Sequence, residues 1–407
     1  MTTERRSGRR GSNADDLARA GEESFSAGRL GEASGAFSAA LSRSPDHAAS
    51  LVGLARIAIA LDRLDEAAAL LDSAPEAVRD EPRLLFYRGV VAESKGDADA
   101  AVVLYGRAAG RDPGFVAARF HLGRALGALG RNDEAARELE RALAARPDAP
   151  DILYALAIVE QERGRPGAAA AALGRAIGAN PAFLDAYLTL ADILVAEGRP
   201  DAAERVAERA AKLFPRAGAP LDKLAAIAVR AGDVRKAVRA LVRQVEVEPE
   251  NAIALRNLST FAQAAGDLET AARAAERLVA LAPGHWEGHH HLGSILEAAG
   301  RLERAKAALR RAVDLGRGEW RPRNDLALLM LSGDPAPGAF DEAVRLLDEA
   351  AALAPPDEAA PHVNLALAAL QAGDRRGAES RAREALSRSR PGGRVHAQAR
   401  EILAVAR

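Results

Sequence analysis

The stretch "GRNDEAARELERALAARPD" occupies Gly130–Asp148, and "GRPGAAAAALGRAIGANPA" opens 34 residues later, at Gly164. Both begin on a glycine, carry Ala135 or Ala169 at the same offset, then Leu139 or Leu173, and close on Pro147 or Pro181. The correspondence extends in both directions. Pro113, Pro147, Pro181, Pro215, Pro249 and Pro283 are each 34 apart, and Pro45 stands two periods before Pro113. Gly96, Gly130, Gly164, Gly198, Gly232, Gly266 and Gly300 keep the same period, as does an alanine column from Ala33 to Ala305. Three columns in one register identify an internal repeat, and a period of this length is the mark of a repeat array.

Each period reads as two helices. Between Phe115 and Leu129, Val116, Phe120, Leu122, Ala125, Leu126 and Leu129 form a helical stripe. Gly130 breaks it, because a residue without Cβ takes positive φ at little cost. A second stripe runs through Ala135, Leu139, Ala142 and Leu143, and Pro147 stops it by removing a backbone donor. Pro166 and Pro200 follow their turn glycines at the first helical position, where a missing N–H costs nothing. The alanine column gives the two helices room to cross closely, with Phe37, Tyr105, Leu139, Leu173 and Leu241 filling space one turn on. One such pair buries too little apolar surface to stand alone, so the units must stack.

The stretch "LGRALGALGRNDEAARELERALAARP" (Leu122–Pro147), with its Leu-Gly, turn Gly, Ala, large apolar residue, Ala and Pro, resembles the tetratricopeptide repeat. The resemblance implies an all-α fold: a right-handed α-α superhelical solenoid of about eleven 34-residue helix–turn–helix repeats plus a C-terminal capping helix. The expected organisation is a disordered basic arm over residues 1–13, the array over 14–392 and the capping helix over 393–407. Three departures are local. Asp62 stands where a turn glycine is due, and Pro75 should shorten the second helix of that repeat. "GDPAPG" (Gly333–Gly338) lengthens the turn of the tenth repeat into a projecting loop, and Arg317 replaces a stop proline.

Composition removes several function classes. The absence of cysteine excludes disulfides and thiolate chemistry. No apolar run approaches the ~18 residues a membrane span needs, and "MTTERRSGRRGSNADD" has no apolar stretch of a secretory signal. A net charge of -1 gives no global attraction for nucleic acid. Arg5, Arg6, Arg9 and Arg10 read as a solvated tail, with no interleaved aromatics for stacking on bases. The Arg, Ala, Gly and Pro bias points to a GC-rich bacterial genome. The expected location is the cytoplasm.

Catalytic chemistry has one candidate, "HWEGHHH", with His285, His289, His290 and His291. His285 and His289 have metal-ligand spacing, but His285 precedes the helix, and His289 is expected to pack at a repeat interface with His290 and His291 half-exposed. Trp286 and Trp320, also 34 apart, are expected to pack on the end of the preceding helix. Acidic pairs such as Asp133-Glu134 open second helices, where the helix dipole favours them. No cofactor, metal site or catalytic role is expected.

The resemblance implies a concave face lined by first helices, which in the family holds a protein or peptide partner. Two tracts fall there. One is the apolar column Phe86, Phe120, Tyr154 and Leu188, with Arg124 beside it. The other is polar and includes Arg256, Asn257, His290 and Asn324. The family's carboxylate clamp, Lys-x-x-x-Asn with Lys-x-x-x-Arg, has no counterpart, and only Asn257 and Asn364 occupy the column of its asparagine ladder. The leading expectation is a non-catalytic protein- or peptide-binding scaffold, without nucleic-acid binding or membrane insertion. The alternatives are an accessory or regulatory subunit of a bacterial envelope or polysaccharide assembly system and, third, a metal-dependent enzyme using His285–His291.

Overall fold

A computed structural model describes residues 4–332 and 338–407, with side chains from Asn13 onward. Among these residues there are 23 α-helices and no strand. The chain forms two compact units, Met1–Leu213 and Phe214–Arg407. The first holds α1 (Glu4–Ser26), α2 (Leu30–Arg43), α3 (Ala48–Ala60), α4 (Leu64–Asp72), α5 (Pro82–Ser94), α6 (Ala98–Arg111), α7 (Val116–Ala128), α8 (Asn132–Ala145), α9 (Pro150–Glu162), α10 (Pro166–Ala179), α11 (Leu184–Ala196) and α12 (Pro200–Leu213). The second holds α13 (Ala219–Arg230), α14 (Val234–Val247), α15 (Ala252–Ala264), α16 (Leu268–Leu281), α17 (Trp286–Ala298), α18 (Leu302–Leu315), α19 (Trp320–Leu331), α20 (Ala339–Leu353), α21 (Ala360–Gln371), α22 (Arg375–Arg388) and α23 (Arg394–Ala406). Within each unit consecutive helices pair as antiparallel hairpins, and each hairpin packs on the next.

Among the described residues the hairpin turn recurs in one form. At the end of α7, Arg131 N–H donates to Leu126 O and Gly130 N–H to Gly127 O, both at 2.9 Å, while Gly130 sits at φ +71°. This pair of bonds satisfies carbonyls the helix end would leave open. Asp62 takes the same left-handed conformation, at φ +58°, where the sequence lacks glycine; aspartate is among the residues that tolerate it. Where aspartate follows the turn glycine, as at Asp97, Asp233 and Asp267, its carboxylate accepts a backbone N–H of the next helix.

The core follows the repeat. Every member of the column Ala33, Ala67, Ala101, Ala135, Ala169, Ala203, Ala237, Ala271 and Ala305 is 0% exposed. Phe37, Tyr105, Leu139, Leu173 and Leu241 are buried against the facing helix. Pro75 has the expected effect: α4 ends after 9 residues, where α2 and α6 run 14. Arg317 changes little, since α18 still ends at Leu315 with Gly316 as its cap.

Helical backbone is described from Glu4, where α1 begins. Of the "GDPAPG" loop, Gly333–Pro337 lie outside the described residues, and Gly338 opens α20 at φ +86°. At the other end, α23 packs on α21 and α22 and buries Ala399 and Ile402.

Candidate binding groove

The period of 34 places Phe86, Phe120, Tyr154 and Leu188 at equivalent positions of α5, α7, α9 and α11. Their surroundings differ. Phe86 is 7% exposed, and its ring is enclosed by Tyr87, Tyr105, Phe115 and His121 at centroid distances of 5.1 to 5.5 Å. It is a core residue, which corrects its assignment to a partner-binding column. Leu188 is half-buried and does not border the groove.

Phe120 and Tyr154 do come together. With Phe183, which precedes α11, they line a groove of about 500 Å³ between α7 and α9. Ile158, 37% exposed, and Ala155 complete its apolar floor. Tyr154 stacks at a tilt on Phe183, centroids 5.1 Å apart, and its hydroxyl lies 3.2 Å from Thr189 Oγ1. These contacts hold the tyrosine ring in place while leaving it half-exposed. Arg124 stands on the α7 wall with its guanidinium 5.8 Å from the Phe120 centroid, and Asp151 and Glu162 stand on the α9 wall. The groove thus offers aromatic surface between a cationic and an anionic edge.

A part-buried polar cluster adjoins it. Tyr105 donates its hydroxyl proton to Glu93 Oε2 at 2.7 Å, His121 Nδ1 lies 3.4 Å from the same oxygen, and Arg124 approaches Glu93 Oε1 at 3.7 Å. Burial, reinforced by the Glu93 hydrogen bond, raises the Tyr105 hydroxyl well above the ordinary tyrosine range. Burial holds the His121 imidazole below its ordinary value despite the opposing pull of Glu93. The cluster ties α5, α6 and α7 together.

The polar tract in the second unit is divided. Arg256, Thr260 and His291 border a separate groove of about 620 Å³ between α15 and α17, together with the exposed Ile253. Asn257 is half-buried and outside that lining. His290 Nε2 lies 2.7 Å from Asp325 Oδ2, Asn324 donates to Asp325 Oδ1 at 3.0 Å, and Asn364 donates to Asn324 Oδ1 at 2.7 Å. This chain of bonds links α17, α19 and α21, and Asn324 is 6% exposed. Its amide is consumed inside the stack, which corrects its assignment as a ligand contact. Burial, with Asp325 nearby, raises the Glu297 carboxyl.

The four histidines separate. His285 stands at the N-cap position of α17 without a side-chain capping bond, His289 Nε2 lies 3.1 Å from Pro283 O, His290 meets Asp325, and His291 Nε2 lies 3.0 Å from Ser259 Oγ. The residue at the repeat interface is therefore His291, since Ser259 is wholly buried in the preceding repeat, and His289 turns back to its own loop. Among the described residues no three His, Cys, Asp or Glu side chains converge as metal ligands. Trp286 packs on Gly316, the C-cap of the following helix α18. Reading columns at one register missed Ile158 and Phe183. Ile158 stands 34 after Arg124 and was available in the adjacent column; Phe183 lies before its helix, where helical periodicity has no signal.

Among the described residues no helix is long and apolar enough to cross a membrane. Comparison with curated protein sequences finds no match. Among solved structures, the chain is similar to MamA, at 23% identity over 42% of this chain and 93% of that one, with a TM-score of 0.39. It is similar to the C-terminal part of a TPR repeat-containing protein from Cytophaga hutchinsonii, at 19% identity over 59% and 99%, with a TM-score of 0.48. A third similar structure is YrrB, described as a TPR protein with an unusual peptide-binding site, at 21% identity over 46% and 97%, with a TM-score of 0.39. Tetratricopeptide repeat models match residues 24–85, 92–159 and 161–227, then 223–285 and 260–319, and finally 359–384. With most of its length matched in this way, and its helices paired at the same period, the chain belongs to the tetratricopeptide repeat family.

Proposed function

We propose that the protein is a non-catalytic scaffold that holds a protein or peptide partner in the α7–α9 groove. The observation that carries this reading is the juxtaposition of Phe120, Tyr154, Ile158 and Phe183 around one apolar recess, with Arg124 on one edge and Asp151 and Glu162 on the other. Concave apolar recesses with few, well-placed polar groups are the usual form of a binding site. Aromatic side chains at the centre of such a patch commonly dominate the binding energy. An aromatic recess between charged edges suits recognition of a partner side chain. Its two charged edges would orient a ligand with an anchor side chain between groups of opposite charge.

The test is affinity capture by the intact chain from a lysate, identified by mass spectrometry, and repeated with Phe120→Ala/Tyr154→Ala. The variant is expected to lose the captured partner at little cost in melting temperature. Capture of the same partner by the variant would show that the groove is not where it binds.

A further inference from the structure

The second helices α10 and α12, with α11 between them, line another groove, of about 610 Å³. We propose that it docks an acidic amphipathic α-helix of a partner protein. The reading is independent of the α7–α9 groove.

One wall is α10, whose sequence "PGAAAAALGRAIGA" carries a single charged residue, Arg175. That guanidinium donates to Pro147 O at 2.7 Å and takes no part in the lining. The α10 wall is Gly167, Ala170, Ala171 and Gly174, and Leu190 and Leu194 of α11 lie beneath. The other wall is cationic. Arg205 and Arg209 are one turn apart on α12, and Arg199 stands at its start. Arg209 is held over the Tyr187 ring at 5.6 Å, and Arg199 pairs with Glu197 at 3.1 Å. Among the described residues Arg205 and Arg209 make no ion pair. No carboxylate lines the groove.

Some second helices of the other unit carry ion pairs between neighbouring repeats. Arg304 of α18 pairs with Glu276 of α16 at 2.6 Å, and Arg381 of α22 pairs with Asp348 of α20 at 2.7 Å. Because α10 carries no carboxylate, Arg205 and Arg209 of α12 stand beside a bare small-residue surface. The missing counter-charge is what an occupant would supply.

The floor decides the form of that occupant. It presents aliphatic side chains and helical backbone whose hydrogen bonds are already made, so an extended peptide would bury unpaired amides there. A helix brings its own backbone bonds satisfied. Small residues on α10 let its backbone approach closely. The lining from Gly167 to Ile177 spans roughly 15 Å, or about three helical turns. Arg205 and Arg209, four residues apart, match Asp or Glu pairs spaced three or four apart on the docking helix.

The test uses a labelled 21-residue helical peptide with an Ala/Leu stripe flanked by Glu, and its counterpart with every Glu replaced by Lys. Anisotropy is measured against the full chain. The acidic peptide is expected to bind and the basic one not to, and Arg205→Glu/Arg209→Glu should weaken binding by about ten-fold or more. Gly174→Leu should weaken it comparably without changing any charge. No atom lies within 4 Å of where a Cβ at Gly174 would stand, so the variant fills the groove and keeps the fold. Circular dichroism melting confirms that both variants are folded. Failure of the acidic peptide to bind, or equal binding of the two peptides, overturns the proposal. Binding insensitive to Gly174→Leu reduces it to surface charge alone. Equally arginine-dependent binding of anionic vesicles, with no peptide binding, assigns the face to lipid and overturns it as well.

Discussion

Gly89 of α5 lies flat against the Tyr105 ring of α6: a Cβ at Gly89 would stand 2.6 Å from Tyr105 Cε1. The ring has nowhere to go. It is fully buried, and its hydroxyl is bonded to Glu93. The same crossing recurs as Gly123 on Leu139 and Gly293 on Leu309. The smallest residue on one helix receives a large one from its hairpin partner, which is why the two helices can lie so close.

Gly89→Ala should therefore destabilise the protein by about 1–3 kcal/mol through overpacking. Gly178→Ala, in α10 with open space around it, should stabilise by roughly 0.5–1 kcal/mol through chain entropy. Paired urea denaturation measures both. Equal effects at the two positions would refute the packing account. Ala169→Leu at the buried crossing of α9 and α10 should resemble Gly89→Ala, and amide exchange should quicken first in the flanking hairpins.

Phe86 and Phe120 share a register but should respond differently. Phe86→Ala empties a core site and should cost about 3–5 kcal/mol. Phe120→Ala should cost about 1 kcal/mol or less, while a partner held in the groove loses about 2 kcal/mol of affinity. Thermal melts of the two variants, compared with capture assays, check the contrast.

Stability should fall as pH drops through about 6.5. Burial holds the imidazoles of His121, His291 and His362 below their ordinary value. As pH falls, the unfolded chain takes up these protons before the folded one does, so each depressed group removes stability between its unfolded and folded pKa. His362 is the sharpest case: it is 4% exposed, and neither ring nitrogen has a hydrogen-bond partner among the described residues. His362→Leu should stabilise by about 1 kcal/mol near neutrality and by more at pH 5.5. Denaturant titrations at the two pH values decide it; a variant less stable at both would show that the ring is satisfied.

Asn364→Ala should cost about 1–3 kcal/mol, because it strips the Asn324 amide oxygen of its donor inside the stack. Hydrogen exchange should quicken in α19 and α21 before the rest of the second unit. Unchanged exchange there would place Asn324 at the surface.

The helices, their turns and their crossings were legible in the residues because each depends on local chemistry. A glycine at the turn, a proline past the second helix and an alanine at the crossing act within one hairpin, and the period of 34 repeats that chemistry along the chain. Even Asp62 in place of glycine was tolerable on local grounds. Exposure was not legible in the same way. Phe86 and Phe120 are identical in type and register, yet Phe115 and His121 close over one ring while the other borders a groove. Asn324 reads as a surface residue until Asn364 and Asp325 are seen to enclose it. The scarcity of charge on α10 is written in its letters, but its consequence for Arg205 and Arg209 arises only where two helices 34 residues apart face each other. Burial and charge pairing are properties of neighbours, and neighbours in this protein are supplied by the stacking of hairpins.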